Sequence, residues 1–233
     1  MALCVYLSAR EIIMEPILKI DIQDNVATLT MNRPAKRNAM CDELLDAIDA
    51  FFTAPPQEVK AVVLTGTAGH FCSGLDLSEH VARDAEGTMR HSRGWHQVMD
   101  RIQYGELPVV SAMFGAVIGG GLELASATHV RIADPSTIFQ LPEGRRGIFV
   151  GGGASVRIGR ILGADRMLEM MLTGRKYDAE EGLSLGLCHY FEGEGQALAK
   201  AQDLARTIAT NAPLSNYIMI QALSRIEDMD KAG

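Results

Sequence analysis

Three times along this chain a short apolar run passes into a glycine-bearing turn and then a short helical pattern, near residues 59–78, 108–127 and 137–160. The runs VKAVVLTG (59–66) and PVVSAMFG (108–115) are continuous rather than alternating. A strand with one wet face alternates polar and apolar side chains. A strand covered on both faces does not, and burial on both faces is the habit of parallel sheets flanked by helices. The three passages are not a clean sequence repeat, but they point to a structural one. The fold class predicted is α/β, with βαβ units around a largely parallel sheet.

The remaining pattern agrees. ILKIDIQ (17–23) and VATLTM (26–31) are β-runs separated by Asp24-Asn25, which predicts a hairpin. Apolar positions Leu44, Leu45, Ile48, Phe51 and Phe52 make a helical stripe over 41–52, and a second helix falls within 88–103. HVRIAD (129–134) and TIFQL (137–141) read as strands, and LCHYF (187–191) as one last strand. From 152 onward helices dominate. SVRIGRILG, DRMLEMMLTG and AEEGLSLG each end on glycine, the residue favoured just past a helix C-terminus. Further helices are predicted over 196–210 and over 213–227, where Pro213 suits a first turn.

A length of 233 residues predicts one domain, two at most. The formal net charge of −7 argues against general nucleic-acid binding, although a few local cations could still hold an anionic ligand. Cys4, Cys41, Cys72 and Cys188 are scattered without zinc-type spacing and read as free thiols in a reducing, cytoplasmic setting. No HExxH is present, and His91 and His96 are too far out of helical phase to share a metal. No apolar run reaches the ~18 residues of a membrane span, and the start MALCVYLSAR lacks a basic n-region. Residues 1–13 read as an N-terminal extension before Met14, 14–195 as the core, and 196–233 as a C-terminal helical section.

Three segments carry groups that could do chemistry, and each also has a plain structural use. In PVVSAMFGAVIGGGLELA (108–125) a buried strand meets three glycines and a helix. Unpaired N–H groups at that helix start could stabilise an oxyanion, or the glycines could serve only tight packing. Glu123 is either a catalytic carboxylate or a first-turn acid favoured by the helix dipole. In HFCSGLDL (70–77) a second glycine loop could present another N–H, with Asp76 placed to cap the next segment. In LPEGRRGIFVGGG (141–153) Glu143 is a further acid candidate, or a solvated loop charge beside Arg145 and Arg146. The GxGxxG spacing of dinucleotide binding is not cleanly met, and no matching acidic residue comes after a second strand.

Together and in order, NRPAKRNAM (32–40), GHFCSGLDL (69–77), GAVIGGGLELA (115–125), LPEGRRGI (141–148), GGGASVRIGRILG (151–163) and LTGRKYDAEEGLSLGLC (172–188) resemble the crotonase superfamily, the enoyl-CoA hydratase/isomerase family. The resemblance spans roughly 15–227. It implies a crotonase-like spiral of βαβ repeats with a C-terminal helical section. It implies that the backbone N–H groups of Leu75 and Gly120 bind a thioester oxygen. It also implies that Glu123 acts as base on water, that Glu143 gives a proton to the carbon α to the thioester, and that the Gly151 N–H holds the water. Two carboxylates flanking one water can divide such work and titrate as a unit. Lys36, Arg37, Ala39, Ser73 and Asp76 match the stretches along coenzyme A; for Lys36 and Arg37 solvated surface charge is the other reading.

The activity so implied is hydration of a trans-2-enoyl-CoA, without a metal or redox cofactor, coenzyme A entering as part of the substrate. The assembly implied is a homotrimer or a dimer of trimers, with no nucleic-acid or membrane partner. Other crotonase-type reactions on the same oxyanion hole (isomerisation, hydrolysis, decarboxylation) and a non-catalytic acyl-CoA binder are the alternatives. Two departures stand out: Val150, where many members have proline, and the basic GRR after Glu143. Members usually continue into further helices that close the acyl pocket, so the section ending at Gly233 reads as shortened.

Overall fold

The computed structural model describes residues 15–78 and 84–226. The extension assigned to 1–13 and the last seven residues of the C-terminal section lie outside them. β1 (Leu18–Gln23) and β2 (Val26–Met31) form the antiparallel hairpin. Its turn residues Asp24 and Asn25 take φ of 52° and 63°, the left-handed pair that a two-residue turn of matching twist demands. From β2 the sheet continues in parallel through β3 (Ala61–Gly66), β4 (Val109–Met113), β6 (Val130–Ala133) and β9 (Tyr190–Phe191), in the order β1-β2-β3-β4-β6-β9.

A second sheet of three short strands accompanies it: β5 (Ala116–Ile118), β7 (Ile138–Gln140) and β8 (Lys176–Tyr177). The chain passes from β4 to β5, and from β6 to β7, within a few residues. Each repeat therefore gives one strand to the large sheet and the next to the small one. The loop after β3 takes the same course, through a bridge from Cys72 to Val117. The predicted repeat is thus a spiral. β5 and β8 were not anticipated, because strands of two or three residues beside glycine or charge carry no readable period.

Both faces of the large sheet are covered, as the continuous apolar runs require. Val62, Leu64 and Met113 face a core shared with α1 (Asp42–Thr53), α2 (Ala85–Gln103) and α3 (Gly120–Ser126). Ala61, Val63, Val110, Ala112 and Ile132 face α7 (Ala197–Ala209), whose Ala197, Ala201 and Ala205 recur every fourth residue and let the helix approach closely. α4 (Ala154–Leu162), α5 (Ala164–Thr173) and α6 (Ala179–Ser184) complete the core. α8 (Pro213–Leu223) is shorter than the predicted 213–227. α2 begins earlier than predicted, where the Asp84 carboxylate accepts the Gly87 N–H at 2.7 Å.

Cys41, Cys72 and Cys188 are buried free thiols. Among the described residues no helix is long and apolar enough to cross a membrane.

Candidate active site

A cleft of about 1120 Å³ is lined by the 73–77 loop, α2, the start of α3, the turn Glu143–Arg146 and residues 148–151. Its floor is set by backbone pairing. The Cys72 N–H donates to the Ala116 carbonyl (2.9 Å) and the Ile118 N–H to the Cys72 carbonyl (3.1 Å), so the 72–75 loop runs beside β5. A Cβ on Gly74 would lie 2.6 Å from the Ile118 oxygen and 3.1 Å from the Gly120 nitrogen, at a backbone φ of +90°. Only glycine permits that approach. Leu75 comes next. Its neighbours Gly74 and Asp76 bond Met40 through their backbone, which leaves the Leu75 N–H out of that ladder. Gly120 opens α3, where an N–H has no acceptor within the helix. Two backbone donors on adjoining loops therefore line one cleft.

Glu123 stands on α3, three residues on, and is buried at 3% exposure. Its carboxylate receives the Gly151 N–H at Oε1 (3.2 Å) and the Gly152 N–H at Oε2 (2.5 Å). Burial raises its pKa, opposed by the N–H groups of Gly152, Gly151 and Ala154 and by the field of His96. Glu143, 4% exposed, faces the same cleft. Its Oε2 has no hydrogen-bond partner, and burial together with the charge of Glu123 pushes its pKa up to about 7. The two carboxyls thus differ in kind. One sits in a cradle of donors that suits an anion, and the other is buried with an oxygen that no donor meets, which suits a neutral acid.

Of the ten residues singled out in the sequence, Glu123, Glu143, Leu75, Gly120, Gly151, Arg37 and Ser73 line the cleft, and three do not. Ala39 is buried, with its carbonyl taken by Arg33. Lys36 lies over Ser78 (2.8 Å) and Asp76 (3.7 Å). Asp76 is buried and spent on Ser78 Oγ (2.6 Å), Arg33 (2.9 Å) and the Ser78 N–H (3.1 Å). The Ser78 hydroxyl leads, with burial opposing and Arg33 adding to it, and together they lower the Asp76 pKa to about 2. Asp76 is a fastener between the 33–40 and 73–78 loops and, unlike Arg37 and Ser73, does not line the cleft. Buried Asn38 fastens the same loop from the other side, to Arg33, Thr67 and His70. The Gly151 N–H, which the resemblance assigns to a water, lies 3.2 Å from Glu123 Oε1.

Sequence reasoning missed the wall that α2 supplies. Trp95 lies so close to Gly120 that a Cβ there would meet the ring at 2.8 Å. Ser92, His91 and Thr88 extend this wall, with His91 Nε2 3.0 Å from Asp42. Lys176 and Arg146 also line the cleft. Trp95 is the chain's one tryptophan, a signal of sorts, but helical spacing reads only as burial.

Convergent N–H donors beside two unlike buried carboxyls define a class of site: one for acyl groups whose carbonyl oxygen gathers negative charge while protons move nearby. The chain belongs to the enoyl-CoA hydratase/isomerase family, whose model matches residues 21–232. It is 31% identical to the 2,3-dehydroadipyl-CoA hydratase of Escherichia coli, over 91% of this chain and 83% of that protein. It is 30% identical to the short-chain-enoyl-CoA hydratase of Clostridium acetobutylicum, over 88% and 80%. A crystal structure from Rhodopseudomonas palustris, provisionally assigned as an enoyl-CoA hydratase, superposes with a TM-score of 0.90 at 48% identity, covering 94% of this chain and 85% of that one. The fold is that of the crotonase superfamily, and the chain is an enzyme of the crotonase type.

Proposed function

We propose that this protein adds water across the double bond of a trans-2-enoyl-CoA to give the 3-hydroxyacyl-CoA. The observation that carries the reading is the asymmetry of the two buried carboxyls: Glu123 held by backbone N–H groups, Glu143 raised to about 7 with Oε2 unpartnered.

The substrate carbonyl accepts the N–H groups of Leu75 and Gly120. Glu123 takes a proton from water as the oxygen adds to the β-carbon, and charge moves through the conjugated system onto the thioester oxygen. Each preorganised N–H there is worth ~10²–10³ in rate. Glu143 then delivers its proton to the α-carbon. One O–H bond of water breaks; one C–O and one C–H bond form. Glu123 ends protonated and Glu143 ionised, and exchange with solvent resets both. The reaction asks for no redox step and no metal, and coenzyme A enters with the substrate. Arg37, Arg146 and Lys176 on the cleft supply cations suited to its phosphates, which is how a chain of net charge −7 accommodates a polyanion. The buried free thiols fit a reducing, cytoplasmic setting.

Exposed Leu168 and Leu172 on α5, with Leu214, Ile218 and Leu223 on α8, support assembly into a trimer or a dimer of trimers. Light scattering of the purified protein tests that part. Turnover of crotonyl-CoA and longer enoyl-CoAs, with product analysis, tests the chemistry. A 3-hydroxyacyl product upholds the reading; a shifted double bond, free coenzyme A or no turnover on any chain length rejects it.

A further inference from the structure

Both carbonyls of the Gly151–Gly152 turn are held from outside the turn. Ser92 Oγ on α2 donates to the Gly151 carbonyl at 3.1 Å. Arg157 on α4, 6% exposed, donates through Nη1 to the Gly152 carbonyl at 2.5 Å. The same guanidinium reaches back to α2, to Asp100 at 2.5 Å and to Gln103. With its carbonyls fixed on the α2 side, the turn presents its N–H groups to Glu123. Gly153 completes the arrangement at φ +90°, where a Cβ would fall 2.5 Å from Arg157 Nη1. A buried guanidinium committed to three groups on two elements is poorly explained by solvation or net charge. Its forked donors suit a task of geometry.

We propose that Ser92 and Arg157 are positioning residues that aim the 151–152 turn at Glu123, so that the α2 wall of the acyl cleft and the cradle of the base form one mechanical unit. The inference rests on Glu123 acting as the base. It adds that a substrate pressing on α2 acts on the cradle through Ser92 and Arg157. The charged and titratable groups around Glu123 are Glu143, from the 143–146 turn, and His96, from α2. Arg157 itself stands behind the turn, with its Nη1 and His96 Nδ1 both close to Gly153; Ser92→Ala changes no charge, and Arg157→Lys keeps the cation.

N–H bonds to a carboxylate favour its ionised form, so a slackened turn raises the pKa of Glu123. The experiment is NMR titration of isotopically labelled glutamate carboxyls in the full-length protein. The Glu123 signal is assigned from Glu123→Gln and compared across wild type, Ser92→Ala and Arg157→Lys. Lysine keeps the charge and loses the fork. Asp100→Asn, which releases only the half-exposed partner of the guanidinium, stands in if Arg157→Lys fails to fold. The expected result is an upward move of Glu123 by about half a unit to one unit in each variant, with the acidic limb of kcat/KM moving alongside. A Glu123 titration unchanged while the melting temperature falls overturns the proposal and leaves these residues merely structural. Because the titration needs no turnover, a wild type that fails to hydrate would reject the functional reading separately.

Discussion

Replacing Glu143 by glutamine should slow turnover by ~10²–10⁴-fold and, at alkaline pH, make the protein more stable. The carboxyl sits at about 7 in the folded chain against 4.5 for the ordinary group, raised first by burial and then by the charge of Glu123. A carboxyl raised on folding contributes most below its unfolded pKa, and that contribution is lost as pH rises through the folded value. With 1.36 kcal/mol per pKa unit, the loss is about 3 kcal/mol once pH exceeds 7. Glutamine fills nearly the same space and cannot ionise, so its stability lacks this component. Urea denaturation of both proteins at pH 5 and pH 8 measures it, together with the change in Glu123 that follows from losing its charged neighbour. Since part of the loss has already occurred by pH 5, Glu143→Gln should gain about 2–3 kcal/mol on wild type between the two pH values. Parallel stability curves would refute the buried, proton-bearing environment assigned to Glu143, and with it the argument that this residue is the acid.

The same environment predicts that kcat/KM for hydration falls as pH rises through about 7, where Glu143 loses its proton, and that Glu143→Gln erases that limb; a pH–rate profile checks it. Gly120→Ala should drive a methyl into Trp95 (2.8 Å) and Met40 (3.1 Å) and lower kcat by ~10²-fold by displacing an oxyanion donor. Adding Trp95→Leu should recover part of the rate, which steady-state kinetics of the single and double variants would measure. For Asp76, lowered to about 2 from 3.8, the sign reverses: its contribution is present above the unfolded pKa and is lost as pH falls through the folded one. Asp76→Asn should therefore cost about 2 kcal/mol at neutral pH, with the gap closing between about pH 4 and pH 2, by urea denaturation.

How much of this was legible depended on what each residue's neighbours in sequence reveal. The hairpin could be read because Asp24-Asn25 states its own geometry, and the parallel sheet because runs such as VVL and VVS leave no wet face. β5 and β8 were hidden, since pairing through two or three residues depends on partners far along the chain. Glu123, Glu143, Leu75 and Gly120 could be singled out because glycine turns and acids recur in a family order, and the fold brings them to one cleft. The fastening role of Asp76 was hidden because Arg33, which holds it together with nearby Ser78, lies 43 residues away in sequence. Arg157, in VRIGR, looks like an ordinary helix-surface cation, and nothing local says that it is buried against α2. Trp95 hid behind its own apolarity, because helical periodicity does not distinguish a core side chain from one that walls a cleft.

The most direct test of the account is one incubation of crotonyl-CoA with wild type, Glu123→Gln and Glu143→Gln in deuterium oxide containing heavy-oxygen water, with mass and NMR analysis of the product. The account predicts 3-hydroxybutyryl-CoA from wild type, with solvent oxygen on the β-carbon and one solvent deuterium on the α-carbon, added to the same face. Each variant should be slower by ~10²–10⁴-fold, the span of acid–base catalysis. A product without solvent oxygen, or either variant turning over at the wild-type rate, would contradict it.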